Sequence, residues 1–230
     1  MLDIIKTAVN KQQYAGPDTG NLMASVKKVV LVLGPRSLMS VGYGDKGEIF
    51  AIRYCDYNNV TSDWIGDFYE HQFITEPLLA DEEKIAAVFI STDRTVVIPA
   101  SLYNSSEAAN WLRKLHLVEN DDVVSEYKLG SDDAYLTYAW PQMLQELVKR
   151  YFSKAQTFSI NAAQLNRSFK NSTVVQCNIS IREAAITVYK GNKLQASETI
   201  YYNTAEDIAY RIQYLCKSNN IEDAQIRCTT

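Results

Sequence analysis

One order of hydrophobic patterns occurs twice along this chain of 230 residues, and that repetition constrains its folding more than any other feature. Each block reads as three strands, an amphipathic helix and a further strand. In the first block, residues 29–33, 38–43 and 48–54 are rich in branched and aromatic side chains, and the turn Gly44-Asp45-Lys46-Gly47 joins the last two. A helix is expected to begin near Thr61 or Ser62 and to turn Trp64, Ile65 and Phe68 inward, ahead of strands over 85–90 and 95–98. In the second block, strands over 174–179, 184–189 and 193–202 lead to a helix capped by Thr204, with Ile208, Ile212 and Leu215 on one face. A strand over 224–228 follows. Moving the first block by 146 positions lays Tyr43 on Tyr189 and Arg36 on Arg182.

The stretch between the blocks alternates helix and strand. Ser106 begins an amphipathic helix through Trp111, Leu112 and Leu115, and strands cover 123–129 and 134–139. Pro141 suits the first position of a helix that buries Met143, Leu144, Leu147, Val148 and Tyr151, and Asn161 is expected to cap another after a strand over 156–160. The polar pair Asn171-Ser172 divides a first lobe, 29–171, from a second, 172–230. Residues 1–28, interrupted by Gly16-Pro17-Asp18, form a leader that packs as an extra helix or lies across the body.

Composition narrows the function classes. With 47% apolar residues, 22% charged and a net charge of −4, the chain is globular, not disordered. Its longest apolar run, 29–33, is far below the roughly 20 residues of a spanning helix, and Met1-Leu2-Asp3 lacks a basic signal start. A cytoplasmic protein without membrane insertion is expected. Lys and Arg are spread evenly, so nucleic acid is not an expected partner. Cys55, Cys177, Cys216 and Cys228 stand far apart with only His71 and His116 for company, which fits buried, reduced thiols rather than a zinc site. The acidic groups at 81–83, 119–122 and 132–133 lack the spacing of a calcium loop and read as solvated turns. Tyrosine is abundant, 15 residues, and either Tyr201 or Tyr202 must face outward, which adds slightly to the case for an interaction surface.

Two successive β-β-β-α-β units resemble the duplicated ribonuclease-H-like fold of the actin, sugar kinase and heat-shock ATPase superfamily, a mixed α/β (α+β) architecture. That resemblance implies a hairpin in each lobe whose backbone amides hold nucleotide phosphates, and an Asp-x-Gly pattern whose carboxylate handles magnesium. In the first lobe Val32 stands at the Asp position, Gly34 keeps the Gly, and Pro35 removes an amide. In the second, Asn178 and Ser180 occupy the two positions. The stretches 31–38, 95–103 and 201–210 are similar to an uncharacterised bacterial family, the domain of unknown function numbered 3822, of the same superfamily. Its members run further at the C-terminus, which implies a second lobe that is truncated relative to the family, and the family transfers no catalytic residue.

Three functions follow as expectations. The first is a degenerate, non-catalytic actin-like domain with no cofactor or metal, serving as a cytoplasmic interaction or assembly module whose protein partner includes a second copy among its candidates. Another is an ATPase or small-molecule kinase that holds magnesium through Asp45 or Glu183. The third is an anion sensor that uses Arg36 and Arg182.

Overall fold

The computed structural model describes residues 9–15, 22–57, 64–130, 134–165, 172–180, 183–191 and 193–229. Two compact units emerge, and they cut across chain order. Unit 1 takes the described residues of 1–92, 119–123 and 140–160, and unit 2 takes those of 93–118, 124–139 and 161–230.

Unit 1 is built on a six-stranded sheet in the order β1-β4-β3-β2-β5-β9. β1 (Val9–Ala15) precedes the short α1 (Leu22–Ser25), and β2 (Lys28–Gly34), β3 (Ser37–Tyr43) and β4 (Ile49–Tyr57) form an antiparallel meander. α2 (Gly66–Thr75) then crosses over, and β5 (Ile85–Ile90) returns parallel to β2. Alternation explains the burial. Val29, Leu31 and Leu33 of β2 point to one face and are buried, while Val30 and Val32 between them are half-covered. Later in the chain, α4 (Gln142–Tyr151) packs against α2 and leads into β9 (Gln156–Ser159), which is parallel to β5. Phe73 of α2 meets Phe152 edge-on at 4.8 Å between ring centres.

Unit 2 repeats the motif with β10 (Thr173–Ile179), β11 (Glu183–Lys190), β12 (Lys193–Tyr201), α6 (Ala205–Ser218) and β13 (Gln225–Thr229), in the sheet order β12-β11-β10-β13. Val175, Cys177, Ile186 and Val188 pack against Ile208, Ile212 and Leu215 of α6. The repeat holds at the level of register. A shift of 146 residues carries the pair Leu33–Leu38 onto Ile179–Ala184, and the parallel strand follows on the same side in both blocks. It also carries the β-bulge between Gly42 and Tyr43 onto the one between Val188 and Tyr189.

The segment between the blocks adds β6 (Thr95–Pro99), α3 (Ala108–Leu115), β7 (Asp122–Leu129) and β8 (Ala134–Pro141), with the strands in the order β6-β8-β7. Chain order grouped this segment with the first lobe, but most of it belongs to unit 2. The reason is packing: Leu129, Ala134 and Leu136 share a core with Ala162 and Leu165 of α5 (Ile160–Leu165) and with Leu194 of β12. The expected boundary at 171 lies outside the described residues.

Several local expectations are corrected. Within 1–28, residues 9–15 are an end strand of the sheet paired with β4, not an extra helix. α2 starts at Gly66, so Trp64 and Ile65 precede it, and Thr61 and Ser62 lie outside the described residues. Pro141 ends β8 in an extended conformation, and the helix begins one residue later. Asn161 sits inside α5, where its amide donates to the Thr199 hydroxyl at 3.4 Å instead of capping. Leu115, expected inward, is largely exposed.

Two predictions follow from this packing. A Cβ at Gly42 would lie 2.9 Å from a Val26 methyl and 3.2 Å from Leu78, so Gly42→Ala should lower unfolding free energy by about 1–3 kcal/mol in urea titrations. At the start of α6, the backbone N–H groups of Asn203 and Thr204 each donate to Asp207 Oδ2 at 3.0 Å and hold its carboxyl below the usual range. A lowered folded pKa stabilises the protein above the unfolded value, near pH 4, and that contribution disappears as pH falls through the folded value. Asp207→Asn should therefore show a flatter loss of stability on the acid side than the parent.

Candidate functional site

The hairpins that open the two repeats are where the sequence directs attention. In unit 1, Gly34 pairs with Ser37 across the two-residue turn Pro35-Arg36. Arg36 adopts a left-handed conformation with φ of 59°, a place that usually favours glycine. The turn is held from below. Tyr69 of α2, wholly buried, donates its hydroxyl to the Gly34 carbonyl at 2.7 Å, and the Tyr57 N–H donates to the Arg36 carbonyl at 3.1 Å. Phe68 contacts both rings, at 4.5 Å from Tyr57 and 5.0 Å from Tyr69, and Trp64 stacks on Tyr69 at 5.8 Å. Val32 lies between Met39 of β3 and Phe89 of β5 in the ladder, and it brings no oxygen.

In unit 2, Ser180 and Glu183, which flank the turn after β10, bond to one another and to Tyr202. The Ser180 N–H donates to the Glu183 carbonyl at 2.8 Å, the Glu183 N–H donates to the Ser180 hydroxyl at 3.2 Å, and the Tyr202 hydroxyl donates to the Ser180 carbonyl at 2.5 Å. Asn178 Oδ1 accepts from Gln176 Nε2 at 3.1 Å and from the Thr229 hydroxyl. Its Nδ2 is buried without a hydrogen-bond partner among the described residues. An amide therefore stands where the resemblance implies a carboxylate for the cation.

The remaining candidates are divided between the units. Arg36 belongs to unit 1, and Arg182 lies outside the described residues. Asp45 is an exposed residue of the β3–β4 turn in unit 1, whereas Glu183 is a buried residue at the start of β11 in unit 2. Among the described residues no three His, Cys, Asp or Glu side chains gather as metal ligands. Asp81 Oδ1 accepts the Glu83 N–H at 3.2 Å, Asp122 Oδ2 accepts the Glu119 N–H at 2.8 Å, and Asp132 and Asp133 lie outside the described residues. The expectation of uniformly buried thiols fails at Cys228, which is exposed, and at Cys216, which is half-buried.

Two features were not legible beforehand. Tyr57 and Tyr69 belong to the structure that holds the first hairpin, yet tyrosine abundance suggested surfaces; among the described residues only Tyr201, Tyr210 and Tyr214 are strongly exposed. Unit 2 also contains a cavity of about 750 Å³ lined by β6 residues on one side and by the unbroken run 193–199 of β12 on the other. β6 and β12 are the end strands of their sheets among the described residues. Because side chains alternate along a strand, seven consecutive lining residues mean that the cavity meets the backbone edge of β12. His116 stands at the cavity wall with Nε2 3.0 Å from the Thr95 carbonyl.

Tyr69→Phe removes the buried bond to Gly34 and should cost about 1–2 kcal/mol of stability, read from denaturant unfolding.

A family described as "Protein of unknown function (DUF3822)" matches residues 24–229. Among solved structures, a Bacteroides thetaiotaomicron protein with actin-like ATPase fold and unknown function is 12% identical. The likeness covers 90% of this chain and 84% of that one, with a TM-score of 0.73. The PilM-PilN type IV pilus biogenesis complex is 14% identical over 86% of this chain and 67% of its own, with a TM-score of 0.46. The cytoplasmic domain of EpsL, an inner membrane component of the type II secretion system of Vibrio cholerae, is 9% identical, with 87% and 81% covered and a TM-score of 0.47. No curated protein matches the chain. The likeness to the Bacteroides protein establishes an actin-like ATPase fold. Among the described residues no helix is long and apolar enough to cross a membrane.

Proposed function

The chain belongs to the family of proteins of unknown function described as DUF3822, and from its actin-like fold and its two closed hairpins we propose that it is a non-catalytic cytoplasmic module acting through protein contacts. The observation that supports this reading is that the described residues of the two hairpins lack the groups a magnesium nucleotide would use. A magnesium nucleotide needs free amides for phosphate and a carboxylate for the hydrated cation. Pro35 has no N–H, and the Ser180 and Glu183 N–H groups already have acceptors within the turn. Val32 and Asn178 supply no carboxylate, and Asn178 Oδ1 is engaged by two donors. These residues do not fit the nucleotide that the fold family implies.

The cavity of unit 2 suits an extended polypeptide segment. At ordinary strand and sheet spacings a strand residue fills about 160 Å³, so the cavity volume takes about five residues. Its walls offer strand edges, whose N–H and C=O groups recognise another strand whatever its sequence. A displayed library of random peptides about ten residues long should yield binders that slow amide exchange in β6 and β12; failure to obtain them, or binders that protect neither strand, removes this docking assignment.

The competing reading is an atypical ATPase or kinase that uses Asp45 or Glu183. The two are separated by thermal unfolding with millimolar Mg-ATP. No movement of the midpoint is expected. A rise of about 5–10 °C, the response of a chain this long to a ligand at about 100 times its dissociation constant, overturns the non-catalytic reading. Magnesium-dependent phosphate release that Glu183→Gln abolishes does the same.

A further inference from the structure

Under the register of the two repeats, the buried apolar pair Leu31–Val88 of unit 1 corresponds to Cys177–Cys228 of unit 2. Where the first repeat has a dry contact between its central strand and its returning strand, the second has two thiols. We propose that Cys177 and Cys228 form a reversible thiol–disulfide pair, with Cys228 the residue that reacts first with small oxidising disulfides. This inference is independent of what the cavity binds.

Geometry supports the pair in three ways. The two residues are register partners on adjacent parallel strands, so their side chains leave the same face of the sheet. Adjacent strands run about 4.8 Å apart, inside the window of about 4.4–6.8 Å that disulfides span between Cα atoms. The Cys228 thiol is also near enough to Cys177 to disfavour its ionisation. Access is unequal. Cys228 is exposed on a strand paired only with β10 among the described residues, whereas Cys177 is wholly buried beneath α6. Burial, and then the neighbouring thiol, push Cys177 up to about 11, so it is protonated at neutral pH and is a poor first nucleophile.

The chemistry balances with a low-molecular-weight disulfide such as oxidised glutathione. The Cys228 thiolate attacks one sulfur of that disulfide, forms a mixed disulfide and expels one glutathione thiolate. Cys177 then loses its proton to solvent and attacks Cys228 Sγ, which breaks the mixed bond and expels the second glutathione. Two protein thiols are oxidised, one disulfide is reduced to two thiols, and β13 becomes covalently tied to β10.

The test uses the full chain incubated with oxidised glutathione, then acid-quenched, unfolded and labelled with a maleimide. Untreated protein should take up four labels and oxidised protein two, with a peptide map that joins Cys177 to Cys228 and full reversal by dithiothreitol. Cys177→Ala should stop at a single glutathione adduct on Cys228, and Cys228→Ser should form no link. Retention of all four thiols overturns the proposal. A stable adduct on Cys228 of the parent without loss of the Cys177 thiol, or a link that runs to Cys216 or between chains, overturns it equally.

Discussion

β2 and β10 are the strands on which everything else is assembled. Each is flanked by an antiparallel neighbour from its own hairpin and by a parallel neighbour that returns only after a helix. The hairpin is local and closes cheaply, but the parallel partner lies more than 50 residues away, and its loop-closure entropy must be offset by burial. That is why the apolar content is concentrated here: Leu31 and Leu33 in one unit, Val175 and Cys177 in the other, all fully buried. The edges of the two sheets are less constrained, and the open positions of the molecule occur there.

The same constraint bears on the hairpin tips. A tip that receives phosphate must leave its N–H groups uncommitted, which a fold tolerates only when ligand or water satisfies them. Here Pro35 brings no N–H to one turn, whose Gly34 and Arg36 carbonyls accept from Tyr69 and Tyr57, and the Ser180 and Glu183 N–H groups flanking the other are bonded to each other's residue. β6 and β12, the end strands of their sheets among the described residues, line the cavity of unit 2.

The strand pattern was readable because period-two burial and turn residues are local signals. The meander 28–57, the capped helix that begins at Ala205 and the returning strands fall where hydrophobic alternation placed them. The allocation of 93–139 was not readable: Leu129, Ala134 and Leu136 make an apolar face that either unit could cover, and nothing local says that Leu165 and Leu194 do so. Asn161 misled for a related reason. A side chain suited to capping was used instead to reach Thr199, a partner 38 residues away. The missing carboxylates at Val32 and Asn178 could be read from the chain, but the internal closure of the turns could not, since it depends on Tyr69 arriving from α2.

By itself the sequence determined the duplicated order of elements, the absence of the two carboxylates and the globular character, because each depends on residue type and spacing along one stretch. Tertiary structure alone decided which unit the middle segment joins, what bonds the residues beside the hairpin turns, where two end strands line one cavity, and that Cys177 is the register partner of Cys228. Those outcomes depend on register between strands distant in the chain, and register is set by burial on a shared face that no single segment encodes.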